Sequence, residues 1–308
     1  MIFASKETVS YPTKPGADAK ISALLIALAL LLPGYAHAIT VMTANMEFFW
    51  DSKEPHEGAR IVFGTIGSPP SPLQVQLEAF AMAQVIRQQK ADVVGLTEVE
   101  NRDVVDLIRG YLGKGWKVVF KKGRDTGTGQ DVAILHRLRV VRGSVDNWSD
   151  ASKGQSVDGT KKAKPSKVLG VKLRRGQKTF YVVVTHLISK RADNDKKREA
   201  QAHAVRKVVA ARMADVDHTI VMGDFNDTPG SPTLKRIRGI GLRDGKPKLA
   251  QIAAVSGPNA DFTHVFKGKK NLIDHILVSP NLASGAKFYT VYLGPISDHR
   301  AAVAVLKD

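Results

Sequence analysis

Short runs rich in Val, Ile and Leu recur along this chain, each closed by Gly, Pro, Asn or Asp, and they alternate with longer stretches of amphipathic spacing. Such runs predict strands. They lie at Thr40–Met46, Asp92–Leu96, Lys117–Lys121, Val132–His136, Lys167–Leu173, Thr179–His186, His218–Met222, Leu272–Ser279 and Ala301–Leu306. Helical spacing is rarer. Ser71-Pro72 reads as an N-cap followed by proline at the first helical position, after which Leu73, Leu77, Phe80 and Ala81 share one face. A second helix is expected from Asn101 towards Tyr111. A third is expected from near Asp193 to Met213, with Ala200, Ala204, Val208 and Ala211 as its apolar stripe and Lys196, Lys197, Arg198, Arg206 and Lys207 on a solvated face. Asp51–Pro70 and Asp150–Lys164 read as long surface loops, the usual home of substrate contacts. With no repeat and no break in composition, residues 39–308 are expected to form one α/β (α+β) domain of two packed sheets covered by helices.

The N-terminus departs from this pattern. Lys14 and Lys20 precede an apolar run from Ile21 to Leu32, and Ala36-His37-Ala38 supplies a small-x-small cleavage site. The run falls short of the roughly 20 apolar residues of a membrane span. Residues 1–38 are therefore expected to be a signal peptide cleaved near Ala38, with an uncleaved anchor as the alternative, and the protein to be exported to the periplasm or secreted. Composition narrows the chemistry. The chain has no cysteine, which excludes disulfides, thiolate metal sites and cysteine nucleophiles. Any metal must be held by oxygen and imidazole ligands. The net charge is +17, and about +16 of it lies beyond residue 38. A field of that sign draws in polyanions, although it also serves solubility or adhesion to an anionic envelope.

Polar groups then appear abruptly where the predicted strands end. In Val221-Met222-Gly223-Asp224-Phe225-Asn226 an apolar run closes on Asp224 and Asn226, two residues apart and so aimed to one side in extended backbone. An acid beside an amide suits a phosphate oxygen or a hard cation. Asp92-Val-Val-Gly-Leu-Thr-Glu98 again ends in a carboxylate, which is costly at a buried strand end without a compensating cation or donor. Ser297-Asp298-His299 precedes the last strand and pairs a metal-binding acid with the natural acid–base residue. Asp274 interrupts Leu272-Ile-Asp-His-Ile-Leu277, where an acid needs a partner; a histidine from another strand would serve. Val182-Val-Val-Thr-His186 delivers an imidazole at a strand end, and Thr40-Val-Met-Thr-Ala-Asn45 an amide. Each alone is compatible with an ordinary structural role. Their coincidence on separate strands is not.

Together these residues resemble the endonuclease/exonuclease/phosphatase superfamily, which includes deoxyribonuclease I, bacterial sphingomyelinases and inositol polyphosphate phosphatases. Gly223-Asp224-Phe225-Asn226 and Ser297-Asp298-His299 are the most specific marks, and Asn45-Met-Glu47-Phe48-Phe49 and Thr97-Glu98-Val99-Glu100-Asn101 look like the branch of secreted bacterial nucleases. The resemblance implies a four-layer sandwich, two mixed β-sheets face to face with helices outside. It implies Glu98 as the main Mg²⁺ ligand (Mn²⁺ or Ca²⁺ being open), supported by Asn45 and Asp298. Asp224 and Asn226 would hold the phosphate and position the water, and His299, oriented by Asp274, would be the general base. His186 would stabilise the scissile phosphate or assist the leaving oxygen, oriented by Asp131 where deoxyribonuclease-like members usually carry glutamate. Lys164 would contact a phosphate.

For the substrate, Thr185-His186-Leu187 differs from the Tyr-x-x-Asn typical of apurinic-site endonucleases in this superfamily. The sequence shows no aromatic-rich hairpin suited to membrane insertion; its tryptophans are Trp50, Trp116 and Trp148. The basic excess therefore points to nucleic acid, DNA or RNA, as the partner of a metal-dependent phosphodiesterase. A phospholipid or inositol phosphate is the alternative, a nucleic-acid-binding protein with an inactive site is the non-enzymatic one, and no obligate protein partner is evident.

Overall fold

Strand β1 (Ile39–Phe49) is buried on both faces almost throughout, and its alternate side chains enter two different cores. It pairs antiparallel with β17 (Arg300–Leu306) and parallel with β2 (Val93–Val99). With β3 (Lys117–Phe120), β4 (Asp131–His136) and β16 (Lys287–Tyr292) they form a six-stranded sheet in the order β16-β17-β1-β2-β4-β3. A second sheet is built from β5 (Arg139–Val140), β6 (Asp146–Asn147), β9 (Val168–Arg175), β10 (Lys178–His186), β11 (His218–Asp224), β12 (Ala250–Ile252) and β15 (Asp274–Val278). Its order is β12-β15-β11-β10-β9-β5, with β6 also on β9. Two small pairs complete the strands, β7 (Gln155–Ser156) with β8 (Lys162–Ala163), and β13 (His264–Phe266) with β14 (Lys269–Asn271). The computed structural model describes residues 38–53, 69–125, 127–147, 155–156, 162–190, 194–252 and 262–307. The expected leader and most of the Asp51–Pro70 and Asp150–Lys164 loops lie outside them.

Period-two alternation assigns the layers. Val41, Val93 and Ile134 of the first sheet face Val171, Val182, Val184, Ile220, Met222 and Ile276 of the second, forming the central core. Their sequence neighbours Met42, Val94 and Leu135 point outwards, onto helices α1 (Pro72–Gln88) and α2 (Arg102–Leu112). On the far side, Tyr181, Val183, Val221 and Leu277 meet α3 (Asp195–Arg212) and α4 (Pro232–Arg238). The result is helix, sheet, sheet, helix. This is the four-layer sandwich that the sequence led us to expect.

Helix α1 forms where its signal lay: Ser71 accepts from Gln74 N and Gln74 returns the bond to Ser71 N. Its buried face is not the expected one. Val75, Ala79, Met82, Ala83 and Ile86 enter the core, while Leu73 and Leu77 stay 66% and 57% exposed. In α3 the expected Ala200 and Ala204 are buried, but the apolar face continues through Ala202, Val205 and Val209, leaving Val208 half-buried and Ala211 exposed. Arg198 and Arg206, expected in solvent, are each 1% exposed. Their charges are met there: Arg198 by Asp195 and Asp227, and Arg206 by Asp244 at 2.9 Å and by the carbonyl of Pro247. Strand β16, helix α4 and the β13–β14 hairpin have no counterpart in the sequence reading.

Candidate active site

The second sheet sets three chemical groups level. In the ladder, His186 on β10 stands opposite Asp224 on β11, and Asp224 stands opposite Asp274 on β15. Gly223 makes the approach possible. It has φ +137°, and a Cβ there would fall 2.0 Å from the carbonyl oxygen of Thr185. The first sheet contributes through irregularity. Where β1, β2 and β4 lose register beyond Asn45 and Thr97, Glu98 adopts φ +59° and Glu47 and Phe48 also turn left-handed. Side chains other than glycine seldom sit there, and such positions concentrate at functional sites. Asn226, at φ +51°, is another.

These groups form one hydrogen-bonded pocket. The Asn45 amide donates to Glu98 Oε1 at 3.0 Å and to Asp224 Oδ2 at 3.1 Å. Glu98 Oε2 accepts from Gln130 Nε2 at 2.6 Å and from Phe48 N at 3.3 Å. Asp224 Oδ1 accepts from Asn226 N at 2.7 Å, and the Asn226 amide reaches back to the Leu187 carbonyl at 2.9 Å. His186 Nε2 lies 3.7 Å from Glu98 Oε1 and 3.6 Å from Asp224 Oδ2. Beside them, His299 Nδ1 meets Asp274 Oδ2 at 2.7 Å, and its Nε2 is 3.8 Å from Asp298 Oδ1. Asp274 is fully buried, with its backbone N–H and that of Ile273 both donating to Thr263 Oγ1.

The pocket's charge is out of balance. Burial, with the Asp274 charge next, pushes the Asp224 carboxyl up to about 8. Burial likewise raises Glu98, against the Asn45 hydrogen bond and the Lys167 charge. Burial and the Asp298 charge raise Glu47. His299 is pulled down by burial but pushed up further by the Asp274 carboxylate and hydrogen bond and by Asp224 and Asp298, ending at about 10. His186 moves the other way. Burial, Lys167 and His299 hold it well below its ordinary value, so this imidazole is neutral near pH 7. Glu98, His186 and Asp224 each present one donor atom within 4.8 Å of the others, as do Asp224, Asp274 and His299, and His264, Asp298 and His299. A hard oxygen-rich set whose acids raise one another is what a divalent cation relieves.

Asn45, Glu98, His186, Asp224, Asn226, Asp274, Asp298 and His299 thus converge. One expectation does not hold. His186 Nδ1 is buried with no hydrogen-bond partner, so the orienting bond expected from Asp131 is not made; Asp131 Oδ1 instead accepts from Gly123 N at 2.6 Å. Lys164, the expected phosphate contact, presents its side chain to solvent, and its backbone carbonyl accepts from Gln201 Nε2. The cation beside the pocket is Lys167, buried against Asp125 Oδ2 at 2.9 Å and felt by both Glu98 and His186. The sequence reading also passed over Gln130, although it adjoins Asp131, and Thr263 and His264, which only the tertiary fold brings to Asp274 and His299.

Comparison with known proteins agrees with this architecture. The family model described as Endonuclease/Exonuclease/phosphatase family matches residues 42–299. No curated protein matches by sequence. Among solved structures, truncated TDP2 from Caenorhabditis elegans superposes with a TM-score of 0.58 at 18% identity, covering 88% of this chain and 98% of its own. The human Nocturnin catalytic domain with a bound sulfate anion gives 0.56 at 16% identity, covering 87% and 94%. An endonuclease/exonuclease/phosphatase from Bacteroides vulgatus gives 0.56 at 15%, covering 88% and 98%.

Proposed function

The chain belongs to the Endonuclease/Exonuclease/phosphatase family of phosphoric ester hydrolases, and we propose that it is an exported, Mg²⁺-dependent phosphodiesterase that cuts nucleic acid. The observation that carries this reading is the meeting of Glu98, Asn45, Asp224 and His186 with the Asp274–His299 pair in one buried pocket on a chain of net charge +17. The sulfate anion bound by the human Nocturnin catalytic domain supports an oxyanion site in this fold.

Glu98, Asn45 and Asp298 would hold the divalent ion. Once bound, it supplies Lewis-acid stabilisation of charge on the phosphate oxygens. The chain's own groups do the rest. Asn226, whose amide donates to the Leu187 carbonyl at 2.9 Å, would orient a phosphate oxygen by turning its second N–H away from Asp224 Oδ2, where it donates at 3.3 Å. Neutral His186 offers an Nε2–H from a rigid strand end, and Lys167, ion-paired with Asp125, lies close by. His299 is the proton acceptor for the attacking water, because Asp274 fixes its Nδ1 and leaves Nε2 facing the pocket. Of the carboxylates that raise His299, Asp298 is one the cation would hold, and its coordination would lower the ring towards a range where it can accept that proton while Asp274 stays on Nδ1.

Incubation of the purified chain with DNA, RNA, sphingomyelin vesicles and inositol phosphates, with Mg²⁺ and with chelator, tests the reading. Mg²⁺-dependent cleavage of nucleic acid is expected; turnover of a lipid or inositol phosphate alone would move the substrate to the other branch. The export reading predicts a mature N-terminus at Ile39.

A further inference from the structure

The β13–β14 hairpin stands outside both sheets, yet its base is tied to the candidate site. His264 bridges His299 through the backbone, packs its ring 4.6 Å from the His299 ring and places Nε2 3.4 Å from Asp298 Oδ2. From there the hairpin runs outward to a Lys267-Gly268 turn with φ +48° and +75°, the paired positive values of a tight hairpin turn. Its free surface combines two chemistries. Val265 and Phe266 are 47% and 59% exposed, and Lys267, Lys269 and Lys270 are exposed beside them, with no acid between residues 262 and 271.

His264 and Phe266 share a face, their ring centroids 6.4 Å apart and their planes within 23°. A line of rings therefore leads from His299 through His264 to Phe266. At the foot, Phe262 carries Lys270 at 4.9 Å and Arg300 at 4.1 Å from its centroid, and Arg300 stands opposite exposed Tyr292 on β16.

Resting on the nucleic-acid reading above, we propose that this hairpin grips the substrate strand beside the scissile phosphate. Phe266 stacks a base, and Lys267, Lys269 and Lys270 hold flanking phosphates, favouring single-stranded or frayed substrate. An aromatic face among lysines is the pattern that binds single strands without sequence preference. The charge opposes that of the backbone, and the ring line starts at the group assigned to the reacting water. A membrane wedge would place its apolar side chains at the tip, whereas the tip here is Lys267-Gly268 and Phe266 lies on the flank.

The test compares wild type, Phe266→Ala, Phe266→Trp and the triple Lys267→Ala/Lys269→Ala/Lys270→Ala. Each is assayed on a single-stranded oligonucleotide, on the matching duplex, on bis(4-nitrophenyl) phosphate and for binding to anionic vesicles. Phe266→Ala is expected to raise KM for the single strand about 5- to 100-fold while leaving kcat and the small diester unchanged, and Phe266→Trp to restore KM. The triple variant should reduce the slope of log affinity against log salt by about 2. Oligonucleotide kinetics untouched by both sets would overturn the hairpin's role while leaving the nuclease reading intact. Loss of vesicle binding with unchanged oligonucleotide KM would overturn it in favour of a membrane anchor. A wild type that hydrolyses the small diester but neither binds nor cuts oligonucleotide would overturn both.

Discussion

Asp224 carries the clearest conflict between stability and chemistry, and Asp224→Asn exposes it. The side chain is 2% exposed, and burial with the Asp274 charge lifts its pKa to about 8 from 3.8. Because the folded value is the higher one, the stability linked to this group is full below about pH 4. It is lost as pH rises towards about 8, at roughly 1.4 kcal/mol per unit. At pH 7 without metal the accumulated penalty is on the order of 4 kcal/mol. Asparagine removes it but turns an amide towards Asn45 and Asn226, losing two hydrogen bonds worth about 1 kcal/mol each. The net gain of about 2 kcal/mol corresponds to roughly 4–8 °C in Tm for a domain of this size. Thermal unfolding in EDTA at pH 7 should therefore show the variant melting above wild type, while its catalysis is lost. Millimolar Mg²⁺ should raise the wild-type Tm by more than the variant's. A variant that melts lower in EDTA, or an equal Mg²⁺ shift in both, would refute the view that this pocket stores repulsion for a cation to relieve.

Gly223→Ala should destabilise by about 3 kcal/mol or more, since the new Cβ meets the Thr185 carbonyl at 2.0 Å in a backbone conformation alanine resists; a lowered urea midpoint checks this. Asp274→Asn, buried and nearly isosteric, should keep the fold by circular dichroism yet cost about 10²–10⁴-fold in kcat with KM little changed, because His299 loses the group that sets its tautomer. His136 lies buried at the end of β4, donating Nδ1–H to the Leu138 carbonyl, with Nε2 unpartnered and burial pushing its pKa down to about 4. Folded His136 stays neutral where the unfolded ring charges, so stability is full above about pH 6.5 and falls as pH drops towards 4. Urea unfolding at pH 5 should show a loss of about 2 kcal/mol from this group, absent in His136→Phe.

What the sequence revealed follows from where the determinants are local. Strand positions were readable because both sheets are buried on two faces and so read as unbroken apolar runs, and Asp224, Asn226, Asp274 and His299 were readable because each interrupts or flanks such a run. The face of α1 was not. Leu73, Leu77 and Phe80 are the larger apolar side chains, but the sheet admits the smaller stripe of Ala79, Met82 and Ala83. Arg206 misled for a related reason, its carboxylate partner Asp244 lying 38 residues away, and Arg198 is met by the distant Asp227 as well as by Asp195 on its own helix. Lys167 and Gln130 entered the site through loop geometry, and the strained backbone at Glu98 leaves no trace in residue type.

The central claim is that Glu98 and His299 meet around one cation to hydrolyse a phosphodiester, and the initial rate of bis(4-nitrophenyl) phosphate hydrolysis tests it without regard to the natural substrate. With Mg²⁺ we predict turnover by wild type, abolished by chelator and reduced at least about 10²-fold in both Glu98→Gln and His299→Ala, each still folded by circular dichroism. Hydrolysis that survives chelation, or that either variant retains at the wild-type rate, would contradict it.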